Sequence, residues 1–271
     1  MNGQASRLIE LQRLQNDEAR SGVGQYIAFV SGKGGTGKSF LALNTAYALS
    51  INGDKVLLID FDLQNPNLHI LANTYPTVSL QNYFAGSALL EECLTPLSNN
   101  LFCIYGEQVT GFETQPSKIQ NFFRSLERIT RNFDYVIFDS GSGIHESLTE
   151  TMNYIRSAII VANPEPTSVM DAYVMTKYLV QSGFNITPSV IINKCANYVD
   201  GQRAYQNLGK ALRHFLREQV ELLSIMPTHN DIYQSIMNQE LLIKDKMDTP
   251  IRELMISIAG KLKAKQKAAK G

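Results

Sequence analysis

Short apolar runs of strand length alternate along this chain with longer stretches whose apolar residues recur at helical spacing. Tyr26, Ile27, Ala28, Phe29 and Val30 form the first run, and residues 40–51 follow with Leu41, Ala42, Leu43, Ala46 and Leu49 on a helical pattern. Gly53 closes that helix before a second strand at Val56, Leu57, Leu58 and Ile59, and strand, helix, strand in this order predicts a right-handed parallel unit. The alternation continues with strands at 101–105, 133–139, 158–162 and 190–192, and helices at 118–131 and 169–180. A helix over 202–217 turns Tyr205, Leu208, Leu212, Phe215 and Leu216 toward a core and sets Arg203, Lys210, Arg213 and Arg217 in one basic stripe. A last helix over 250–262 carries Ile251, Leu254, Met255, Ile258 and Leu262 on one face, which packs it on the core. Residues 79–99 are of mixed polarity and read as short helices.

At 271 residues and 44% hydrophobic composition, the chain is long enough for one large α/β domain. Ahead of it, residues 4–17 carry Ala5, Leu8, Ile9, Leu11 and Leu14 at helical spacing, and Ser21 to Gly24 read as a linker. The expected organisation is an N-terminal helix and linker (1–24), a main domain (25–249), and a C-terminal helix with a lysine-rich tail (250–271). Lys+Arg and Asp+Glu balance at 25 each, so net charge gives no reason to expect nucleic acid. Cys93, Cys103 and Cys195 form no Cys-x-x-Cys pair, which argues against zinc and iron–sulfur clusters and fits buried thiols in a reducing cytosol. No apolar stretch approaches the roughly 20 residues of a membrane span, and the polar N-terminus is unlike a signal peptide. A protein of the cytoplasm is expected.

The chemistry is concentrated at strand ends. Directly after the first strand comes Ser31-Gly32-Lys33-Gly34-Gly35-Thr36-Gly37-Lys38-Ser39, which satisfies Gly-x4-Gly-Lys-Ser/Thr. In such a loop the backbone N–H groups of Gly34, Gly35, Thr36 and Gly37 surround a polyphosphate at a helix N-terminus, Lys38 reaches the β and γ phosphates, and Ser39 ligates Mg²⁺. The second strand ends in Asp60-Phe61-Asp62, two carboxylates at the C-terminal edge of a parallel sheet, where ligands of such folds sit. The run Phe133 to Asp139 is apolar and ends in an acid, the pattern in which a carboxylate holds a water of the Mg²⁺ shell. Asp139 is followed by Ser140-Gly141-Ser142-Gly143-Ile144, whose glycines permit a loop to move. In Asn163-Pro164-Glu165-Pro166-Thr167-Ser168 the prolines end a strand, and Thr167 or Ser168 is expected to cap the following helix.

Lys33 inside the loop gives Lys-Gly-Gly-x-Gly-Lys-Ser, which resembles the deviant Walker A loop of the MinD/ParA family of ATPases. The loop after Asp139 and the Glu-Pro-Thr-Ser phrase are similar to those of the FlhG-type members, and Asp62 with Asn67 resembles their switch I, Gln64 and His69 departing from its usual Gly and Asp. The resemblance implies a single P-loop NTPase domain, a mostly parallel twisted sheet with helices on both faces, ATP and Mg²⁺ as cofactors, and slow hydrolysis by an ATP-dependent homodimer. It also implies the site roles. Lys33 crosses the dimer interface to the partner's phosphates, Asp62 positions the attacking water, and Ser39, Asp60 and Asp139 serve the metal. Phe40 stands where a threonine contacts the α phosphate, Asn193 where an asparagine contacts adenine, and the loop at Met226-Pro227 closes the base pocket. Gln4, Ala5 and Leu8 match the N-terminal activator motif of FlhG proteins, from which Gly3 and Ile9 depart. The implied task is regulation of flagellar number and placement with an FlhF-type GTPase and switch-ring proteins. The lysine-rich tail adds weak attraction to an anionic membrane surface, at the inner membrane or cell pole. A ParA-like DNA-partitioning ATPase and a nucleotide-bound scaffold without turnover are the alternatives.

Overall fold

A computed structural model describes residues 24–108, 115–243 and 249–270. The helix expected over 4–17 lies outside these residues.

Eight strands form one sheet: β1 (Gln25–Ser31), β2 (Val56–Phe61), β3 (Leu94–Pro96), β4 (Leu101–Ile104), β5 (Tyr135–Ser142), β6 (Ser157–Ala162), β7 (Thr187–Cys195) and β8 (Glu221–Pro227). Their order across the sheet is β3-β4-β2-β5-β1-β6-β7-β8, and every neighbouring pair is parallel except β3 with β4. The helices are α1 (Lys38–Ile51), α2 (Leu68–Leu71), α3 (Leu80–Ala85), α4 (Pro116–Ile129), α5 (Glu146–Met152), α6 (Pro166–Gln181), α7 (Tyr198–Phe215), α8 (Asn230–Asn238) and α9 (Pro250–Lys270).

Alternation along the central strands builds two cores. Tyr26, Ala28 and Val30 of β1, with Leu57, Ile59 and Phe61 of β2, pack against α4 through α7. Ile27 and Phe29, with Val56 and Leu58, pack against α1 and α9 on the other face. Because the central strands are covered on both faces, they read as continuous apolar runs, as parallel sheets do. Phe61 anchors the end of β2: its ring lies 5.1–6.5 Å from those of Phe84, Phe122, Phe123 and Phe138, which fixes the backbone that carries Asp60 and Asp62.

The last helix runs through the lysine-rich tail to Lys270, well past Leu262. Ile251, Met255, Ile258 and Leu262 are fully buried. Beside and beyond Leu262, Lys261 donates to the carbonyls of Leu222 and Leu223, Lys263 pairs with Asp54 at 2.8 Å and Lys265 with Glu221 at 2.7 Å, so the tail is tied to the rest of the domain. Two other expectations change. Phe215 is 68% exposed, against Tyr173 and His214, because α7 ends there and its buried line stops at Ala204, Leu208 and Leu212. Ser168 lies in the first turn of α6 rather than capping it; Glu165 is the cap residue, Pro166 follows it, and Ser168 Oγ accepts from the backbone N–H of Asn163.

Candidate functional site

The loop between β1 and α1 borders a cavity of about 300 Å³. Its lining brings together Gly34, Gly35, Thr36, Gly37, Lys38, Ser39 and Phe40 with Asp62 and Asn67 from beyond β2, Ser142 at the end of β5, and the apolar side chains of Ile70, Leu71 and Ile236. Strand order explains the convergence. β1 lies between β5 and β6, and β2 is reached only by crossing over β5, so the C-terminal ends of β1, β2 and β5 meet at one edge.

Gly37 is the cap residue of α1 at φ +89°, a conformation that favours glycine. A Cβ there would collide with Asn193 Nδ2, which donates to Thr36 O at 2.7 Å. Beside it Lys194, itself at φ +57°, donates from Nζ to Gly35 O at 2.7 Å. The end of β7 therefore holds the loop by two of its carbonyls. Pro227, at the end of β8, borders a second cavity with Asn197, Tyr198, Ser224 and Lys261, whereas Ile236 of α8 borders the first.

The acids are buried. Asp60 and Asp139 are paired in register on β2 and β5, and neither is exposed to solvent. Lys38 Nζ stands 2.9 Å from Asp139 Oδ1. Asp60 Oδ2 accepts from the backbone N–H groups of Asn67 and Leu68, both at 3.0 Å, which fixes the chain after β2 around the carboxylate. Asp60 Oδ1 and Asp139 Oδ2 are buried without a partner. Burial, and next the charge of Asp139, push the Asp60 carboxyl well above its ordinary value, against the opposing effects of the Leu68 N–H and Lys38. Two buried acceptors with no donor suit a divalent cation and its waters. Among the described residues no three His, Cys, Asp or Glu side chains gather to hold a metal on their own. Mg²⁺ keeps water and takes a hydroxyl and phosphate oxygens, so it needs no larger cluster of carboxylates.

Asp62 is partly exposed at the cavity, its Oδ1 accepting from Asn65 N at 3.0 Å. Lys33 faces Glu165 of the same chain at 3.7 Å, both partly exposed. Ser39 and Phe40 follow Lys38 on α1, Ser39 half-buried and Phe40 buried in the core beneath the cavity. Sequence reasoning passed over three contributors. Lys194 sits beside a residue it did name, Ile236 belongs to a helix with almost no buried face, and His145 caps α5 immediately after the glycine loop that follows Asp139.

Residues 27–243 match the CbiA family, described as the CobQ/CobB/MinD/ParA nucleotide binding domain. The chain is 28% identical to the flagellum site-determining protein YlxH of Helicobacter pylori over 282 aligned positions, covering 94% of each chain. It is 25% identical to the antiactivator FleN of Pseudomonas aeruginosa, covering 79% of this chain and 78% of that one. Among solved structures, it resembles the septum site-determining protein MinD complexed with Mg-ADP from Pyrococcus horikoshii OT3, with a TM-score of 0.77, 25% identity, and coverage of 92% of this chain and 99% of that one. The eight-stranded, mostly parallel sheet accords with these matches. The chain belongs to the CobQ/CobB/MinD/ParA family of nucleotide-binding proteins.

Proposed function

We propose that this protein is an FlhG-type ATPase that binds Mg²⁺-ATP at the β1–α1 loop, dimerises on ATP and hydrolyses it slowly. The observation that carries this reading is the meeting, at one cavity, of Lys38 and Ser39 with Asp62, and the placing of Asp60 and Asp139 beneath them with one free oxygen each. Lys38 would exchange Asp139 for the β and γ phosphates. Ser39 would join Asp60 and Asp139 in holding Mg²⁺ and its waters, and the ion would neutralise charge on the phosphates. Asp62 acts on the attacking water. Asn193 serves the adenine end from the oxygen of its amide, and α8, after Pro227, supplies an apolar wall in Ile236.

Lys33 is proposed to leave Glu165 and reach the nucleotide of the second subunit; an exposed pair at 3.7 Å contributes at most about 1 kcal/mol, so the exchange costs little. Residues 25–249 carry the ATPase, and Ile251 to Leu262 of the C-terminal segment complete its core. The kinship with YlxH and FleN supports a role in flagellar number or placement, with an FlhF-type GTPase and switch-ring proteins as partners. No helix among the described residues is long and apolar enough to cross a membrane, so contact with lipid would be peripheral and would involve exposed Lys267 of α9.

Sedimentation of Asp62→Ala, which should retain ATP, tests the molecular part. Dimer is expected with ATP, monomer with ADP, and monomer with ATP when Lys33→Ala is added; equal dimer in all three contradicts the crossing lysine. Deleting the gene in its own host and counting flagella tests the cellular part. An unchanged flagellar pattern with disturbed plasmid or chromosome partition would favour the ParA-like alternative.

A further inference from the structure

His145 occupies the cap position of α5, four residues after Gly141. Its Nδ1 accepts the backbone N–H of Leu148 at 3.1 Å and lies 2.7 Å from Ser147 Oγ. A backbone N–H can only donate, so Nδ1 carries a lone pair, and the neutral ring holds its proton on Nε2. Burial lowers the imidazole's proton affinity and so does the charge of Lys38, while Asp62 opposes them; burial prevails, which favours the neutral ring.

The Nε2 end points to the nucleotide side. A Cβ built on Gly141 would stand 2.9 Å from His145 Nε2 and 3.4 Å from Asp62 Oδ1, so both atoms converge on the same side of one glycine. Any side chain at position 141 would displace the ring from the carboxylate. The cap thus fixes the tautomer and leaves the remaining N–H on the side of Gly141 where Asp62 Oδ1 also lies.

We propose that His145 is a positioning residue for ATP hydrolysis, its Nε2–H orienting the Asp62 carboxylate while Nδ1 caps α5. The inference rests on the hydrolase reading above. It ties the glycine loop after Asp139 to the loop after β2 through one side chain, so that movement of either loop would withdraw Asp62 from its working position.

Two substitutions separate the ring's two ends. His145→Asn places an amide oxygen where Nδ1 accepts and removes the Nε2–H; asparagine is among the best cap residues. His145→Gln restores an N–H near Nε2 but gives up the cap. The measurements are single-turnover phosphate release, ATP affinity and the thermal midpoint on the full chain. For His145→Asn the expected result is an unchanged midpoint and affinity with hydrolysis slowed about tenfold or more, since small misplacements of a reacting group have effects of that order. For His145→Gln a lower midpoint is expected, with part of the lost rate recovered. Wild-type hydrolysis in His145→Asn overturns the inference and leaves the hydrolase reading standing. Absence of phosphate release from the wild-type chain overturns both.

Discussion

Lys38 Nζ lies 2.9 Å from Asp139 Oδ1, with the lysine 7% exposed and the aspartate fully buried. The lysine of the glycine loop is thus neutralised in cis by the acid at the end of β5, and a nucleotide entering the cavity must offer it a better partner. A polyphosphate does so, carrying several negative charges to a loop whose backbone N–H groups face it. The pair places the two groups where they are needed before ligand arrives.

Removing the lysine should therefore have two effects. Lys38→Ala leaves Asp139 buried without its counter-charge, and breaking a buried pair in this way costs about 3–5 kcal/mol. The expected outcome is a fall of the thermal midpoint together with loss of ATP binding by calorimetry. Loss of binding at an unchanged midpoint would show that the pair contributes nothing to the ligand-free fold.

Asp60 presents the opposite case, a buried carboxyl whose charge is a burden on the fold. Its folded-state proton affinity is raised, so ionisation at neutral pH opposes folding, and that burden is relieved as pH falls. Asp60→Asn keeps an oxygen for the Asn67 and Leu68 N–H groups and removes the buried charge that Asp139 opposes. The variant should be more stable than the wild type by about 1–3 kcal/mol at pH 7, while Mg²⁺-dependent hydrolysis is lost. Differential scanning calorimetry without nucleotide checks the first half, and a lower midpoint would contradict it.

The clamp from β7 gives a graded test. Asn193→Ala removes one hydrogen bond to the loop, worth about 1 kcal/mol, and should weaken ATP binding about fivefold. Gly37→Ala imposes a Cβ at φ +89° and forces it into Asn193, so binding should be lost altogether. Isothermal titration of the two variants should give this order; the reverse order would mean that Asn193 does not shape the loop.

His145 gives the pH dependence. Its folded-state affinity for a proton lies below the ordinary value of 6.5, so the unfolded chain takes up protons first as the solution is acidified. The stability it contributes is present above about pH 6.5 and declines as pH falls below that value. In His145→Asn the midpoint should fall less steeply between about pH 6.5 and pH 5. Parallel profiles for the two proteins would show that the ring titrates as it does in the unfolded state.

The glycine loop and its acids were legible in sequence because their chemistry demands fixed residue types at fixed offsets from strand ends, and Lys38, Asp60 and Asp139 are found where that logic puts them. Covered strands were legible for a related reason: Ile27 to Val30 and Val56 to Ile59 are apolar on both faces. The polar edges were less so. β3 is a three-residue antiparallel strand, and β8, read as a loop at its end, is a strand at the opposite edge of the sheet. Helix α8 buries only Ser235 among its side chains and leaves no apolar period to detect. Phe215 was misplaced because helical spacing continues to the final residue of α7 although the core beneath it does not. His145 carries no sequence signature, since its role depends on a cap, a tautomer and a glycine that only folding brings together.

The central claim is that this cavity binds and hydrolyses Mg²⁺-ATP with Asp62 acting on the water. Single-turnover release of phosphate from bound ATP, measured for wild type and Asp62→Ala with and without Mg²⁺, tests it most directly. Slow release is expected from wild type only with Mg²⁺, and ATP should be retained intact by Asp62→Ala at nearly unchanged affinity, because positioning of the water matters only on the way to the transition state. Equal release by the two proteins would contradict the account.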